Sequence, residues 1–246
     1  GSTNYSGAAY LAGAAAYKIG AGLVTVAMPH SIHSIVASQL PEATSLILPS
    51  EMGVIAESGA KVIHDAINNI DAVLLGPGLG TERTTFEFCN SLLGSYKNEN
   101  VEGRLGFNVP VRDEKNISSD IMDWPSVVVD ADGLKLVNDI SDWFVLLPKL
   151  SVLTPHPGEM SVLTGLTVDE IQNDRVSVAR KFAMKWNHIV VLKGAFTVVA
   201  NPDGHVTLHP FATSALASAG TGDVLAGLIA GLLSQGLKPY DAAVTG

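Results

Sequence analysis

Apolar residues along the chain fall into short continuous runs separated by longer periodic or polar segments. The runs are rich in β-branched residues and predict buried strands at residues 23–28, 43–48, 72–75, 127–129, 152–153 and 189–192. Residues 197–200 and 206–208 predict a hairpin around Pro202, Asp203 and Gly204. Because nearly every strand is apolar on both faces, we expect a mostly parallel sheet covered by helices on both sides.

Helical periodicity or small-residue packing lies between these strands. It predicts helices at residues 7–19, 31–38, 59–69, 81–95, 168–186 and 224–233. Residues 96–125 are polar and irregular, and we expect an insertion or a flexible loop there. No repeat or linker divides the chain, so residues 1–246 are predicted to form a single α/β domain. Such sheets more often open with a strand than with a helix, so we expect a strand upstream of Gly1.

Composition narrows the classes of partner. Hydrophobic residues make up 47% of the chain and charged residues 16%, which excludes a disordered chain. The formal net charge of −9 argues against nucleic acid or an anionic membrane as partner. Cys89 is the single cysteine of the sequence, so no intramolecular disulfide can form and a cytoplasmic location is expected. No apolar stretch is long enough to span a bilayer.

Polar and glycine-rich motifs follow several of the predicted strands. Ligands of open α/β sheets bind beyond the carboxyl ends of the strands, so these motifs are candidates for a shared site. They are GPGLG at residues 76–80, DADG at 130–133, TPHPGE at 154–159 and KGAFT at 193–197.

The run Gly220-Thr221-Gly222-Asp223 precedes an apolar segment that predicts a buried helix. Free N–H groups and the positive dipole end at a helix N-terminus attract a phosphate, and glycines let it approach the backbone. A carboxylate would repel that phosphate, so Asp223 fits better as a base for a hydroxyl that attacks it. An equally weighted alternative is that Asp223 only caps the helix.

The other motifs each leave two interpretations open. GPGLG fits a dinucleotide fingerprint poorly, and a glycine loop against which a ligand lies is favoured. His156 fits a ligand contact better than a metal pair with Glu159, and Glu159 suits either a hydrated Mg²⁺ or a helix cap. Asp130 and Asp132 suit a water or Mg²⁺, or an Asx turn. Lys193 suits a phosphate contact or a solvated surface.

Together the motifs resemble the NAD(P)H-hydrate dehydratase family in its ADP-dependent form. The matching segments are YSGAAYLAGAAAYKIGAGLVTVA, LLGPGLG, VVVDADGL, LTPHPGEM, VVLKGAFTVVANPDG and LASAGTGDVLAGLIAGLLSQGL, in the family's order and over nearly the whole chain. The resemblance implies a three-layer α/β/α ribokinase-like fold with a mostly parallel central sheet. It implies that the (6S) hydrate of NADH or NADPH is converted to NAD(P)H, with ADP consumed and AMP and phosphate released.

The resemblance also assigns residues. Asp223 matches the catalytic residue, which also contacts the hydrate, and the remaining hydrate positions match Ala8, Gly78, Gly80 and His156. The adenine nucleotide positions match Lys193, Gly194, Ala195, Phe196, Thr197, Gly220, Thr221 and Gly222. No residue is assigned as a metal ligand, and Mg²⁺ is expected to accompany ADP.

Further implications concern assembly and the chain ends. The family implies a homotetramer, and fusion to or pairing with an NAD(P)H-hydrate epimerase. It normally has a strand before the position of Gly1 and more helix after Gly246, so truncation at both ends is expected. Two alternatives to the dehydratase remain at this point: a small-molecule kinase for a vitamin or sugar alcohol on the same fold, and a catalytically silent nucleotide-binding module.

Overall fold

The computed structural model describes residues 1–94 and 124–246 as alternating helices and strands. The helices are α1 (Ser6–Ile19), α2 (His30–Gln39), α3 (Gly59–Ala66), α4 (Arg83–Gly94), α5 (Asp132–Asn138), α6 (Trp143–Leu146), α7 (Pro157–Thr164), α8 (Val168–Asn173), α9 (Arg175–Trp186), α10 (Thr221–Ser234) and α11 (Pro239–Thr245). The strands are β1 (Thr25–Pro29), β2 (Thr44–Leu48), β3 (Ser50–Glu51), β4 (Val54–Ile55), β5 (Ala72–Leu75), β6 (Ser126–Val129), β7 (Val152–Leu153), β8 (Ile189–Leu192), β9 (Val198–Ala200) and β10 (Val206–Leu208).

A six-stranded sheet forms the centre of the molecule, in the order β10-β9-β8-β7-β6-β5. Strands β5 to β8 are parallel, with Leu75 beside Val129 and Leu153 beside Val190. The β9–β10 hairpin continues the sheet antiparallel to β8, as the sequence predicted. The pairs β1–β2 (parallel) and β3–β4 (antiparallel) are separate two-stranded sheets. The parallel order aligns the carboxyl ends of β5, β6, β7 and β8 at one edge.

Alternate residues of the strands face two different cores. Val129, Leu153 and Val190 point into a cluster formed with helices α5 to α9. Their neighbours Val128 and Val152 point into a second cluster, formed with α10 and α11. Since side chains alternate across a strand, two apolar clusters mean helices on both faces. The predicted three-layer α/β/α architecture with a mostly parallel sheet is confirmed.

Helix α10 packs against α1 through residues without bulky side chains. A Cβ added to Gly227 would lie 2.3 Å from the carbonyl oxygen of Ala12, and one added to Gly231 would lie 3.0 Å from that of Ala16. Close approach of this kind requires glycine. The alanines and glycines of the two helices therefore fix α1 directly on α10.

The sequence located the strands and most helices but was wrong about one long helix. The predicted helix at 168–186 is two helices, because Asp174 adopts φ −147° and ψ 67° and accepts a bond from the Ser177 N–H. A side chain that caps a new helix competes with continuation of the old one. The pattern of apolar and polar residues did not predict α5, α6, α7, α11 or the β3–β4 hairpin.

Two expectations from the sequence can be compared with the structure only over residues 1–94 and 124–246. The insertion predicted at 96–125 lies outside them, apart from Trp124 and Pro125. Within the described ranges, no helix is long and apolar enough to cross a membrane.

Candidate active site

The carboxyl ends of the four parallel strands bring the predicted motifs together. The N–H of Asp130 donates to the carbonyl of Leu75 at 3.0 Å, and that of Thr154 donates to Val129 at 3.1 Å. The N–H of Lys193 donates to the carbonyl of Pro155 at 2.9 Å. Backbone bonds thus continue beyond each strand and hold the first residues of neighbouring motifs side by side.

A buried ion pair lies at this edge. Asp130 is 1% exposed, and its Oδ1 accepts from Lys193 Nζ at 2.6 Å and from Thr154 Oγ1 at 2.7 Å. Lys193 Nζ also lies 3.8 Å from Glu159 Oε2. Neither the Asx turn considered for Asp130 nor a solvated Lys193 matches this geometry. A buried carboxylate needs such a partner, because an unpaired charge away from water is costly.

The TPHPGE motif begins helix α7 with a capping box. His156 Nδ1 accepts from the N–H groups of Gly158 and Glu159, and Glu159 Oε2 accepts from the His156 N–H at 2.9 Å. His156 Nε2 lies 3.3 Å from Glu159 Oε1, and the His156 side chain is 54% exposed. In the described part of the chain, no group of three or more His, Cys, Asp and Glu residues is arranged to hold a metal ion. The hydrogen bonds of Glu159 match the helix cap, one of the two choices that the sequence left open.

The glycine loop at residues 76–80 is buried and braced on both sides. Gly76 has φ +131°, and a Cβ there would lie 1.7 Å from the Asp130 carbonyl oxygen. Asp132 Oδ2 accepts from the Gly80 N–H at 3.1 Å, while its Oδ1 accepts from Lys135. A Cβ on Gly78 would touch Tyr5 and lie 2.9 Å from the Cβ of Ala8. Ala8, Gly78 and Gly80, the predicted hydrate contacts, therefore lie in one neighbourhood.

Asp223 lies in the first turn of α10, as the sequence predicted. The N-cap residue is Gly220, so Asp223 lies at the third helical position and is not the N-cap residue itself. A Cβ added to Gly222 would lie 3.4 Å from Lys193 Nζ and 3.8 Å from Asp130 Oδ2, so the GTGD turn lies directly over the buried pair.

The pKa of the Asp223 carboxyl is raised above its ordinary value. Burial is the main cause, the Asp130 carboxylate raises the pKa further, and the Lys193 ammonium opposes both. A higher pKa makes a carboxylate a stronger base, which suits proton transfer from a hydroxyl. Arg, Lys or water contacts alone would not produce this direction of shift.

The KGAFT residues form an exposed turn between β8 and β9. Gly194 has φ +139° and Phe196 has φ +56°. The Phe196 N–H donates to the Phe211 carbonyl at 3.0 Å, and Thr197 Oγ1 donates to the Gly194 carbonyl at 3.0 Å. Lys193 belongs to the buried pair, whereas Phe196 is 50% exposed. The predicted nucleotide residues thus divide between a buried lysine and an open turn.

The family model that matches this chain describes the NAD(P)H-hydrate dehydratases and covers residues 1–101 and 114–246. The chain belongs to the NAD(P)H-hydrate dehydratase family. The resemblance found in the motifs is thereby confirmed, and the site at the strand ends is where the motifs of that family converge in this fold.

Individual dehydratase relatives agree. The chain is 38% identical to a bifunctional NAD(P)H-hydrate repair enzyme of Moorella thermoacetica, over 100% of this chain and 42% of the relative. It is 34% identical to an ADP-dependent (S)-NAD(P)H-hydrate dehydratase of Neisseria meningitidis, over 100% of this chain and 71% of the relative. The chain thus spans about two fifths of the length of the bifunctional enzyme.

Solved structures place the chain in its fold class. An ADP/ATP-dependent NAD(P)H-hydrate dehydratase of Bacillus subtilis, crystallised with ATP and Mg²⁺, matches with TM-score 0.72 and 30% identity, over 99% of this chain and 75% of that one. A ribokinase-like superfamily protein of Enterococcus faecalis matches with TM-score 0.73 at 22% identity, over 98% of this chain and 72% of that one. The predicted ribokinase-like fold is confirmed.

Two residues that shape this site were not predicted from the sequence. Thr154 was inside a quoted motif but received no role, although its hydroxyl bonds to Asp130. Arg175 was hidden inside the wrongly predicted long helix, although its guanidinium bonds to the carbonyls of Leu192 and Lys193. The position of Thr154 directly after a strand was an available signal, and nothing comparable marked Arg175.

Proposed function

We propose that this chain converts the (6S) hydrate of NADH or NADPH to NAD(P)H, with ADP as the phosphoryl donor and AMP and phosphate as products. The single observation that carries the proposal is Asp223, a carboxylate with a raised pKa at the N-terminus of α10, over the Asp130–Lys193 pair. The names of the relatives from Neisseria and Bacillus support the substrate and the nucleotide.

The proposed reaction begins with the hydroxyl of the hydrated nicotinamide ring. Asp223 takes the hydroxyl proton while the hydroxyl oxygen forms a bond to the β-phosphorus of ADP, and the bond between that phosphorus and the oxygen of AMP breaks. The N–H groups of the GTGD turn hold the charge that develops on the phosphate. The ring nitrogen lone pair then expels the phosphate, and the neighbouring carbon loses a proton to complete the double bond of NAD(P)H.

The remaining assignments follow the position of each group. Ala8, Gly78, Gly80 and His156 would contact the hydrate, and the 193–197 turn with Gly220, Thr221 and Gly222 would contact the nucleotide. Lys193 would act from its ion pair, lending positive charge beneath Gly222. This differs from the free phosphate contact that the sequence suggested for it.

Mg²⁺ is part of the proposal through the nucleotide. Asp130 and Glu159, the two acids beside Lys193, already form hydrogen bonds with Lys193 and with the His156 backbone, respectively. Both carboxylates are therefore poor candidates for Mg²⁺ ligands. The nucleotide phosphates would therefore carry the ion. No step proposed above depends on a protein-held metal.

The test is to add ADP or ATP to purified hydrate in the presence of the protein and follow NADH absorbance. Growth of absorbance with release of AMP and phosphate is expected with ADP. A stable phosphorylated product would instead indicate a small-molecule kinase, and the absence of any product would indicate a silent nucleotide-binding module.

The same proposal extends to assembly and location. The name of the Moorella relative is that of a bifunctional repair enzyme, which supports an association of this chain with a second repair activity, proposed as the epimerase. A homotetramer and a cytoplasmic location stay predictions. Light scattering on the purified protein and fractionation of cells would measure them.

A further inference from the structure

Arg175 lies where the chain interrupts the predicted long helix. Asp174 ends α8 and caps α9, so Arg175 becomes the first residue of α9, beside the end of β8. Its Nη2 donates to the carbonyl oxygens of Leu192 at 2.7 Å and Lys193 at 3.2 Å. Its Nη1 donates to Gln172 Oε1 at 2.8 Å. The break in the helix thus brings a guanidinium against the first carbonyls of the KGAFT turn.

The hydrogen bonds of Arg175 do not fully offset the cost of burying its guanidinium group. Within the described residues, Arg175 has no carboxylate partner, and its Nε is buried without a hydrogen-bond partner. Burial lowers the pKa of the guanidinium. A charged group that is partly desolvated and incompletely bonded has a cost that two neutral carbonyl partners only partly offset.

The planarity of the peptide bond gives these contacts a consequence. In a trans peptide the C=O and the following N–H point in opposite directions. A guanidinium that holds the Lys193 carbonyl towards α9 therefore directs the Gly194 N–H away from α9. In the described part of the chain, no other group accepts a bond from the N–H of Gly194 or Ala195. Two donors of this turn thus remain for a ligand.

The turn also needs an external brace. Gly194 has φ +139°, and a Cβ there would lie 3.2 Å from Arg175 Nη1, so only glycine allows the guanidinium to pack so closely without strain. Phe196 keeps a left-handed φ of +56° although it is not glycine. Conformations of this kind persist when surrounding contacts determine them.

We propose that Arg175 is a positioning residue for the nucleotide: it fixes the 193–197 turn so that the Gly194 and Ala195 N–H groups face the adenine nucleotide. The inference rests on the proposed function, because that function places the nucleotide at this turn. Arg175 itself touches no reacting atom. Its loss should therefore weaken nucleotide binding more than it slows the chemical step.

The experiment compares Arg175→Gln and Arg175→Lys with Arg180→Gln in the full-length protein. Arg180 lies on the exposed side of the same helix and serves as the matched control. For Arg175→Gln we expect the KM for ADP and the Kd for AMP, from calorimetry, to rise about five- to tenfold. The kcat at saturating ADP and the KM for the hydrate should change less than about twofold. Arg175→Lys, which keeps one donor group, should recover part of the loss, and Arg180→Gln should match the parent.

Several results would overturn the inference. A lower melting temperature of Arg175→Gln with unchanged KM for ADP and Kd for AMP would leave Arg175 a purely structural role. Equal increases in KM for ADP and for hydrate would point to general disruption of the site. Should Arg175→Gln fold poorly, Arg175→Met, which keeps the length of the side chain but has no donor group, decides instead: affinity for AMP equal to the parent, with or without a change in melting temperature, rejects the role.

Failure of the proposed function can be distinguished from failure of the positioning role of Arg175. A parent protein that binds AMP but forms no NADH from hydrate contradicts the function, while the affinity of the Arg175 variants for AMP still decides the positioning role. A parent protein that binds neither AMP nor ADP contradicts the inference as well, because the turn would then hold no adenine nucleotide.

Discussion

Two glycine-rich turns meet at the site, and they use glycine for different reasons. The turn at 76–80 is buried, and the Cβ position of Gly76 overlaps the backbone of Asp130. The turn at 217–222 is largely exposed, and the Cβ position of Gly222 reaches no closer than 3.4 Å to Lys193 Nζ. The first turn needs glycine for the fold itself. In the second turn the fold leaves room for a methyl group at Gly222, so the bare backbone at that position is available to something that is not part of the chain.

One added methyl group in each turn should have opposite effects on stability. Gly76→Ala should destabilise the protein by more than about 4 kcal/mol, because it combines backbone overlap with a left-handed φ. Gly222→Ala lies within a helix and should leave stability unchanged or raise it by about 0.5–1 kcal/mol, while it weakens AMP binding. Urea unfolding and calorimetry measure both. Equal destabilisation by the two changes would remove the distinction between the turns.

The second prediction concerns Asp223, the acid that follows the turn at 217–222. Asp223→Asn should lower turnover by about 10²–10⁴, since the base is lost, and should leave AMP affinity nearly intact. Single-turnover formation of NADH and calorimetry with AMP provide the two readouts. Turnover within tenfold of the parent would exclude Asp223 as the base.

The third prediction tests the ion pair of Asp130 and Lys193, which lies beneath Gly222. Lys193→Met should cost about 3–5 kcal/mol of stability, because it leaves the Asp130 carboxylate buried without its partner. The double change Asp130→Asn with Lys193→Met should recover much of that loss, since no buried charge remains. Denaturant unfolding of the single and double variants measures the coupling. If Lys193→Met lowers AMP affinity but not stability, Lys193 is a free phosphate contact, as the sequence alone suggested.

The fourth prediction separates hydrate from nucleotide contacts. His156→Ala should weaken binding of NADPH, used as a mimic of the hydrate, by about 1–3 kcal/mol and spare AMP. His156→Asn is the matched control for the helix cap, since asparagine also accepts bonds from the N–H groups that begin α7. Loss of AMP affinity with intact NADPH affinity would show that the two halves of the site are exchanged.

The smallest expected effect is a shift along the pH axis. The active form of Asp223 is the carboxylate, so kcat/KM should fall as pH drops through a pKa that lies above the usual value of aspartate. A raised pKa in the folded state also means that this carboxyl costs stability, which is lost as pH rises from the ordinary aspartate pKa to the raised pKa and is not regained above it. Asp223→Asn should therefore melt at a higher temperature than the parent at neutral pH, and the difference should vanish in acid. An acid limb at the ordinary aspartate pKa would contradict the buried setting of the base.

The sequence was most informative where local chemistry decides the structure. The continuous apolar runs located β5, β7 and β8 to the residue, because strands buried on both faces leave little choice of register or boundary. The small-residue turn before an apolar segment also located α10 and placed Asp223 at its N-terminus. Residues that follow parallel strands were brought together as expected, which made GPGLG, DADG, TPHPGE and KGAFT one site.

Contacts between distant residues limited the prediction. Lys193 and Asp130 are 63 positions apart, and no pattern in either motif showed that each is the other's partner. The helix predicted at 168–186 failed because periodicity continued across Asp174, while the cap made by its side chain ended one helix and began another. Arg175 shares that failure, since its contact with Leu192 depends on where the second helix begins.

The close contact of α1 with α10 has a consequence for how the protein is made. Ala12 and Gly227 lie against each other although 215 positions separate them (227 − 12), so the contact can form only after α10 has left the ribosome. Contacts of such long range are slow to form, because chain entropy must be lost before the packing energy is gained. Until α10 packs against it, the face of α1 that carries Ala12 and Ala16 lacks its native partner. The helix that carries Asp223 is thus also the one that covers α1, so the N-terminal helix gains its cover and the site gains Asp223 from the same element.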